Sequence, residues 1–552
     1  MLASITSACL LGIDGHAVRV EVHLTSGLPG CTIVGLPDAA CREARDRVRA
    51  AVTNSGFEFP MRKITVNLAP SSLRKAGSGL DLAMAVGVLV ASDQVPGAGI
   101  DEMAFFGELG LDGSLRPVRG MVSLVDASPV DTVVVPAAAY AEATVYGRHR
   151  VLCARRLVEV VEALRGDEPW PEPPAPGIPA LPVVPAVVRD LADVRGQAAA
   201  RAALEVAAAG GHHLLMVGPP GAGKTMLASR LPGLLPPLGV DEALAVARVR
   251  SAVGEPLGIG ELSTSPPFRA PHHTASPVAL TGGGSGLLRP GEVSRASHGV
   301  LFLDEMGEFA PAVLDALRQP LEDGVIRITR AQAAATFPAR FLLVGAMNPC
   351  PCGEAGPEGC TCSDGERSRY RRRLSGPLVD RFDLRVDVQR PSPDELLRGE
   401  PGESTAVVAA RVREARARAA ARGVTSNARI PRRRLDDLCP VTPETELVLE
   451  GALTLGRLSA RGLDRVRRVS RTPVSYTHLD VYKRQGRRRH GSRHRQAGPG
   501  GQLHPDRGPG RGGPRRRRGR RRVRRLAPGR TTCSRSGGWP SPTASAARSW
   551  SR

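Results

Sequence analysis

Residues Gly218, Pro219, Pro220, Gly221, Ala222, Gly223, Lys224 and Thr225 stand at the spacing G-x-x-x-x-G-K-[ST]. Chemically, this is a phosphate cradle. Glycines let backbone N–H groups turn inward on phosphate oxygens, lysine brings a point charge, and a threonine hydroxyl can ligate Mg²⁺. The loop follows an apolar run, Leu214 to Val217, and opens a helical pattern, the context such a loop requires. A second apolar run, Val300 to Leu303, ends in Asp304 and Glu305. With a triphosphate in the cradle, Asp304 would hold Mg²⁺ and Glu305 would orient and deprotonate the attacking water. Taken alone, Asp304 could be an ordinary helix N-cap. A third apolar run, Phe341 to Met347, ends at Asn348, whose amide could place that water or serve as a turn residue. The expected ligands are ATP and Mg²⁺.

The elements that must carry these side chains follow from patterning. Apolar strands alternating with helices over 190–395 predict an α/β layer with a parallel sheet covered on both faces. Residues 1–165 read as a separate α/β unit. Its N-terminus alternates like a strand, as do Val18–Leu24, Cys31–Leu36 and the run KITVNLAP. The run from Ala40 to Gly56 reads as an amphipathic helix with a glycine stop, LDLAMAVGVLVAS as a buried helix, and an Ala-rich helix near residue 140 closes the unit. Eight prolines between Pro169 and Pro185 mark a stiff linker over 166–189. Residues 396–472 are helical in pattern with arginines on exposed faces, the expectation for a small lid.

Four of the ten cysteines fall close together as C-x-C and C-x-C: Cys350, Cys352, Cys360 and Cys362. Four thiols at this spacing suit tetrahedral Zn²⁺ better than disulfides in a reducing compartment, with free structural cysteines as the other reading. No apolar run approaches the ~20 residues of a membrane span. The N-terminus has no basic flank and meets Asp14 early, unlike a signal peptide. The expected location is the cytoplasm.

The net charge of +22 is not evidence for nucleic-acid binding by residues 1–474. Residues 475–552 hold 22 Lys and Arg against 2 Asp and Glu, which leaves the rest of the chain within two charges of neutrality. The string VSYTHLDVYKRQ over 474–485 resembles a translated vector or adaptor, and the residues after it have the Arg, Gly and Pro bias of GC-rich DNA read in a wrong frame. The segment 473–552 reads as an artefact. The alternative is a disordered basic arm.

Several segments together resemble one family: GQAAARAALEVAAAGG leading to the loop, FRAPHHTASPVALTGGG, GEVSRASHGVLFLDE, LRQPLEDGVIRITRA, FLLVGAMNPCPCG and RRRLSGPLVDRFDLRVDV. They are similar to the magnesium-chelatase-like branch of AAA+ proteins and, within it, the ComM (YifB) family, over about residues 1–472. The resemblance implies a homo-oligomeric ring, a hexamer, that moves on branched or single-stranded DNA in natural transformation or recombination. It implies an arginine finger at Arg381, reaching the nucleotide of a neighbouring subunit. It also implies a second arginine, Arg461, reaching from the lid over the nucleotide of its own subunit. In related ring motors a hairpin projects into the pore, which puts Arg327 and Arg330 on a DNA backbone. A second pore loop would carry His272 and His273 and run on to the glycines at 282–286. The two histidines have no acidic or thiol neighbour in the chain for a metal site. The first unit resembles the proteolytic domain of Lon, with Lys75 and Ser78 in the corresponding region. The serine spacing is off and the partner lysine is missing, so the unit reads as non-proteolytic. A metal-insertion motor of a chelatase and an ATP-dependent protease remain as competing readings.

Overall fold

The computed structural model describes residues 2–175, 189–258, 262–284, 288–330, 333–354, 360–373 and 376–474. These residues lie within one compact unit, Met1–Lys483. Most of the proline-rich linker, the end of the glycine loop after 284 and the tail from 475 lie outside the described residues.

The first layer is a mixed sheet. Its strands are β1 (Leu2–Leu11), β2 (Asp14–Thr25), β3 (Gly30–Val34), β4 (Lys63–Ala69), β5 (Met103–Phe105), β6 (Thr132–Pro136) and β7 (Arg150–Ala154), in the order β3-β4-β2-β1-β5-β6-β7. Helix α1 (Ala39–Asn54) starts at Asp38, whose carboxylate accepts the Cys41 N–H at 2.8 Å. Helix α2 (Asp81–Ala91) is apolar all round and is accordingly buried, apart from Val90, against β1 and β2. It approaches closely because of Gly87, where a Cβ would stand 2.6 Å from Val22 Cγ2. Its first residue, Asp81, is buried and is paired with Arg47 at 2.7 Å. The Ala-rich stretch is only a 3-10 turn, Ala137–Ala139, and one helical turn, Tyr140–Ala143; the unit closes instead with the helix Leu157–Arg165. Helix α3 (Met121–Asp126) lies on the far face, where it meets the helix Val240–Val253.

The second layer begins with α4 (Ala198–Gly210) and builds a sheet from five strands: β8 (Leu214–Val217), β9 (Phe268–Arg269), β10 (Val300–Leu303), β11 (Leu342–Met347) and β12 (Leu384–Asp387). The order is β9-β10-β11-β8-β12, and every pairing is parallel. β8 and β10 are buried at every residue, as a sheet covered on both faces demands. Helix α5 (Arg318–Asp323) leads into a hairpin of Val325–Arg330 and Ala333–Pro338, so the hairpin starts after a helix that holds Leu321. Helix α6 (Thr405–Ala421) packs on α4, and Arg411 reaches Glu205 at 2.8 Å. The last helix, α7 (Ala460–Val474), is pinned by Thr472, whose buried hydroxyl lies 2.8 Å from His212 Nε2 and 3.0 Å from Asn427 Nδ2.

The two layers interlock. The β1–β2 turn inserts Ile13 into a core cluster of the second layer that includes Ile326 and Phe337, at the root of the hairpin. Gly12 is required there, with φ +67° and an imagined Cβ only 2.7 Å from Ala335 Cβ. Arg248 of the second layer reaches Asp14 at 2.6 Å.

Candidate nucleotide site and its arginine pair

Parallel strands deliver their C-terminal ends to one edge of the sheet, and three of the predicted groups arrive there together. Gly218 donates its N–H to the Met347 carbonyl at 3.1 Å, which ties the loop to the end of β11. Only glycine fits at 218, since a Cβ would sit 2.1 Å from the Val388 carbonyl oxygen. Gly221 and Gly223 hold φ of +75° and +86°, the left-handed turns that aim amides inward. Lys224 is buried, and its Nζ donates to the Gly218 carbonyl at 2.7 Å, the Pro219 carbonyl at 2.9 Å and Asn348 Oδ1 at 3.1 Å. Burial lowers its pKa, against the pull of Asp304 and Glu305. The Thr225 hydroxyl donates to Asp304 Oδ2 at 2.6 Å. Asp304 Oδ1 accepts the Glu305 N–H at 2.9 Å.

These residues fit a magnesium nucleotide. A lysine bonded only to neutral carbonyls and an amide is free to turn to phosphate. A hydroxyl and a carboxylate in contact form the usual pair for a hard cation. The helix that opens at Lys224 is shorter than the pattern suggests and stops at Ala228. Pro232 cannot continue the hydrogen-bond ladder, and Arg230 turns aside to donate to the Asp190 carbonyl at 2.6 Å. The macrodipole contribution to phosphate binding is therefore small, and the loop amides and Lys224 carry the charge.

Glu305 adopts φ +49°, a left-handed conformation that costs a non-glycine residue roughly 1–2 kcal/mol. Its carboxylate is exposed and lies 3.2 Å from His273 Nδ1. His273 has an acidic partner in space, and that partner is the candidate water-activating group. The His272 ring lies against the His273 ring, tilted by 33° with centroids 4.1 Å apart, and bonds to Thr274 Oγ1 at 2.9 Å. The pair brings His273 to the nucleotide edge. A pair this exposed is worth up to about 1 kcal/mol. His273→Ala should therefore raise unstimulated ATP turnover up to about fivefold by freeing Glu305 to swing. An unchanged rate, measured with coupled phosphate release, would mean that the pair does not restrain it.

Arg381 and Arg461 lie elsewhere. Leu384 pairs with Leu214, and Asp383 accepts the His213 N–H at 3.1 Å, so Arg381 stands where the strands begin. The loop stands where they end, four residues or about 13 Å along β8. Arg381 is in contact with Glu322 of α5, and Arg461 reaches the same carboxylate at 3.5 Å. The resemblance implied that Arg461 would cover its own nucleotide. The structure sets it beside Arg381 at the opposite edge, because α7 docks against the start of β8 through His212 and Thr472. Arg381 Nε and Nη1 are buried with no partner among the described residues. A cleft of about 510 Å³ opens over them, with Arg340, Arg429, Arg465 and Arg468 on its walls.

Arg327 and Arg330 are exposed on the hairpin, and Arg327 reaches Asp323 of α5 at 3.3 Å. Gly282 and Gly283 pair with Pro290 and Arg289 in a short ribbon. The four cysteine sulfurs converge within 4.8 Å of one another. In the first layer, Ser78 donates to Glu108 and Lys75 is buried with its Nζ on the Pro70 carbonyl, so neither touches the other. Sequence reasoning missed three residues: Glu322, which holds both arginines; Gln197, whose amide donates to the loop carbonyl of Ala222 at 3.1 Å; and Arg390, which donates to the Pro220 carbonyl at 3.1 Å. Only Gln197 carried a signal, its place at the head of the segment GQAAARA.

The sequence matches three family descriptions: magnesium chelatase, subunit ChlI, over 190–396; subunit ChlI of Mg-chelatase over 20–139; and the ChlI C-terminal region over 402–474. An uncharacterized protein of Mycobacterium tuberculosis H37Rv is 48% identical over 471 residues, 84% of this chain and 93% of that one. YifB of Escherichia coli K12 is 42% identical over 487 residues, covering 88% and 95%. The competence protein ComM of Haemophilus influenzae is 42% identical over 475 residues, covering 85% and 93%. Among the described residues no helix is long and apolar enough to cross a membrane.

Proposed function

The chain belongs to the ComM/YifB family of magnesium-chelatase-like AAA+ ATPases, and from that premise we propose that it assembles into a hexameric ring and drives branch migration of DNA. The Haemophilus relative is a competence protein by name, and natural transformation or recombination is where we place this one. The observation that carries the reading is α5. This single helix holds Glu322, on which Arg381 and Arg461 converge, and Asp323, which meets Arg327 of the exposed hairpin. A pull on the hairpin is thereby a pull on the arginines.

In a ring, Arg381 and Arg461 of one copy would serve the nucleotide of the next, and the unpartnered nitrogens of Arg381 would find their acceptor there. Lys224, Thr225 and Asp304 would hold ATP and Mg²⁺. The bound cation would neutralise charge on the phosphates. Glu305 would take a proton from water placed by Asn348. The four thiols would hold Zn²⁺. The cytoplasm is the compartment that suits this activity.

The purified chain should hydrolyse ATP faster with a four-way DNA junction than without one, and should unwind the junction. Changing Arg327 and Arg330 together to alanine should weaken junction binding and reduce the salt slope of log K by about 2. If junctions neither stimulate turnover nor unwind, the DNA reading fails and the ATPase remains. The second reading, a chelatase motor, is favoured by the family descriptions and predicts that outcome.

A further inference from the structure

The four cysteines do more in this fold than close a turn. Cys350 Sγ lies 3.3 Å from Cys352 Sγ and 3.6 Å from Cys360 Sγ, and Cys352 Sγ lies 3.7 Å from Cys360 Sγ. A disulfide would need about 2.05 Å. Four sulfurs at about 2.3 Å from a tetrahedral zinc stand about 3.8 Å apart. The cluster therefore has nearly the dimensions of a filled zinc site. The turn it closes is built against the nucleotide loop. Gly353 has φ +85°, and a Cβ there would meet Pro220 Cδ at 2.7 Å. Arg390, at the exit of β12, clasps both sides: it donates to the Pro220 carbonyl at 3.1 Å and pairs with Glu354 at 2.7 Å. Asn348, two residues before Cys350, accepts from Lys224 at 3.1 Å. Three contacts thus run from the thiol turn to the loop, and every one is short-range.

We propose that zinc on Cys350, Cys352, Cys360 and Cys362 is a structural part of the nucleotide site, holding the turn so that Pro220 and Asn348 stay in register for ATP. The proposal rests on the zinc reading above and extends it to ATP affinity. Without a cation, only weak S–H hydrogen bonds join the sulfurs. Loss of the metal should let residues 350–354 leave Pro220. If the metal-free loop is seated about a tenth of the time, the apparent Kd for ATP rises about tenfold.

The test measures zinc content and the affinity for a fluorescent ATP analogue on the full chain. The purified protein should carry one zinc per chain. Chelation should weaken nucleotide binding about tenfold, and added Zn²⁺ should restore it where Mg²⁺ does not. Arg390→Ala keeps every thiol, so it should retain zinc and still lose about threefold to tenfold in affinity. A Cys352→Ser, Cys362→Ser double variant should lose both. Because the cysteine variant could misfold, Arg390→Ala decides the case. A chain without zinc overturns the metal site. A chain with zinc whose nucleotide affinity is unmoved by chelation and by Arg390→Ala overturns the brace and leaves the metal site standing.

Discussion

Mixing an Arg381→Ala chain with a Lys224→Ala chain is expected to restore ATP turnover that neither has alone. Arg381→Ala keeps the whole phosphate loop, so it should bind ATP normally. It should lose about 10³–10⁵ in turnover, the usual worth of an arginine finger. Lys224→Ala keeps Arg381 and Arg461 on Glu322 but loses the charge that meets the phosphates. The loop and the arginines stand at opposite edges of one sheet, so each defect removes a different half of each interface. In mixed assemblies some interfaces join an intact loop to an intact arginine pair. Steady-state phosphate release across mixing ratios checks this. A flat line at the level of the separate variants would show that Arg381 does not act across a subunit boundary.

Glu305→Gln separates binding from chemistry. The amide keeps the size of the side chain and leaves Asp304 and Thr225 in contact, but it cannot take a proton. Turnover should fall by about 10²–10⁴, and ATP affinity should stay within a few fold of the parent. Single-turnover hydrolysis alongside equilibrium binding distinguishes the two. Weakened binding with an unchanged chemical rate would place Glu305 among the ligand-holding groups instead. The Glu305 side chain is exposed, so little loss of fold stability should accompany its substitution.

Much of this was legible in the sequence for a physical reason. A parallel sheet writes itself as apolar runs, and chemistry at its carboxyl edge is written at the ends of those runs. Lys224, Thr225, Asp304 and Asn348 were readable as one site because each follows such a run directly or within its loop, and the structure places them in contact as two linked pairs. What depends on side chains meeting across loops was not readable. His273 and Glu305 belong to neighbouring strands whose loops fold together only in space. The reach of Arg461 could not be read, since a helical pattern does not say against which end of a sheet the helix docks. Glu322 looked like one acid among many on a short helix. The cysteine spacing suggested a metal, but its seat on Pro220 required the fold.

If the arginine pair of one copy serves the next as proposed, the edge-to-edge arrangement also sets an arithmetic of assembly. Any open string of copies leaves one terminal loop without arginines and one terminal arginine pair without a nucleotide. Closure alone removes both loose ends. Specific activity should therefore depend steeply on dilution and collapse as strings break up, and a lone copy, however well folded, should hold ATP without cleaving it.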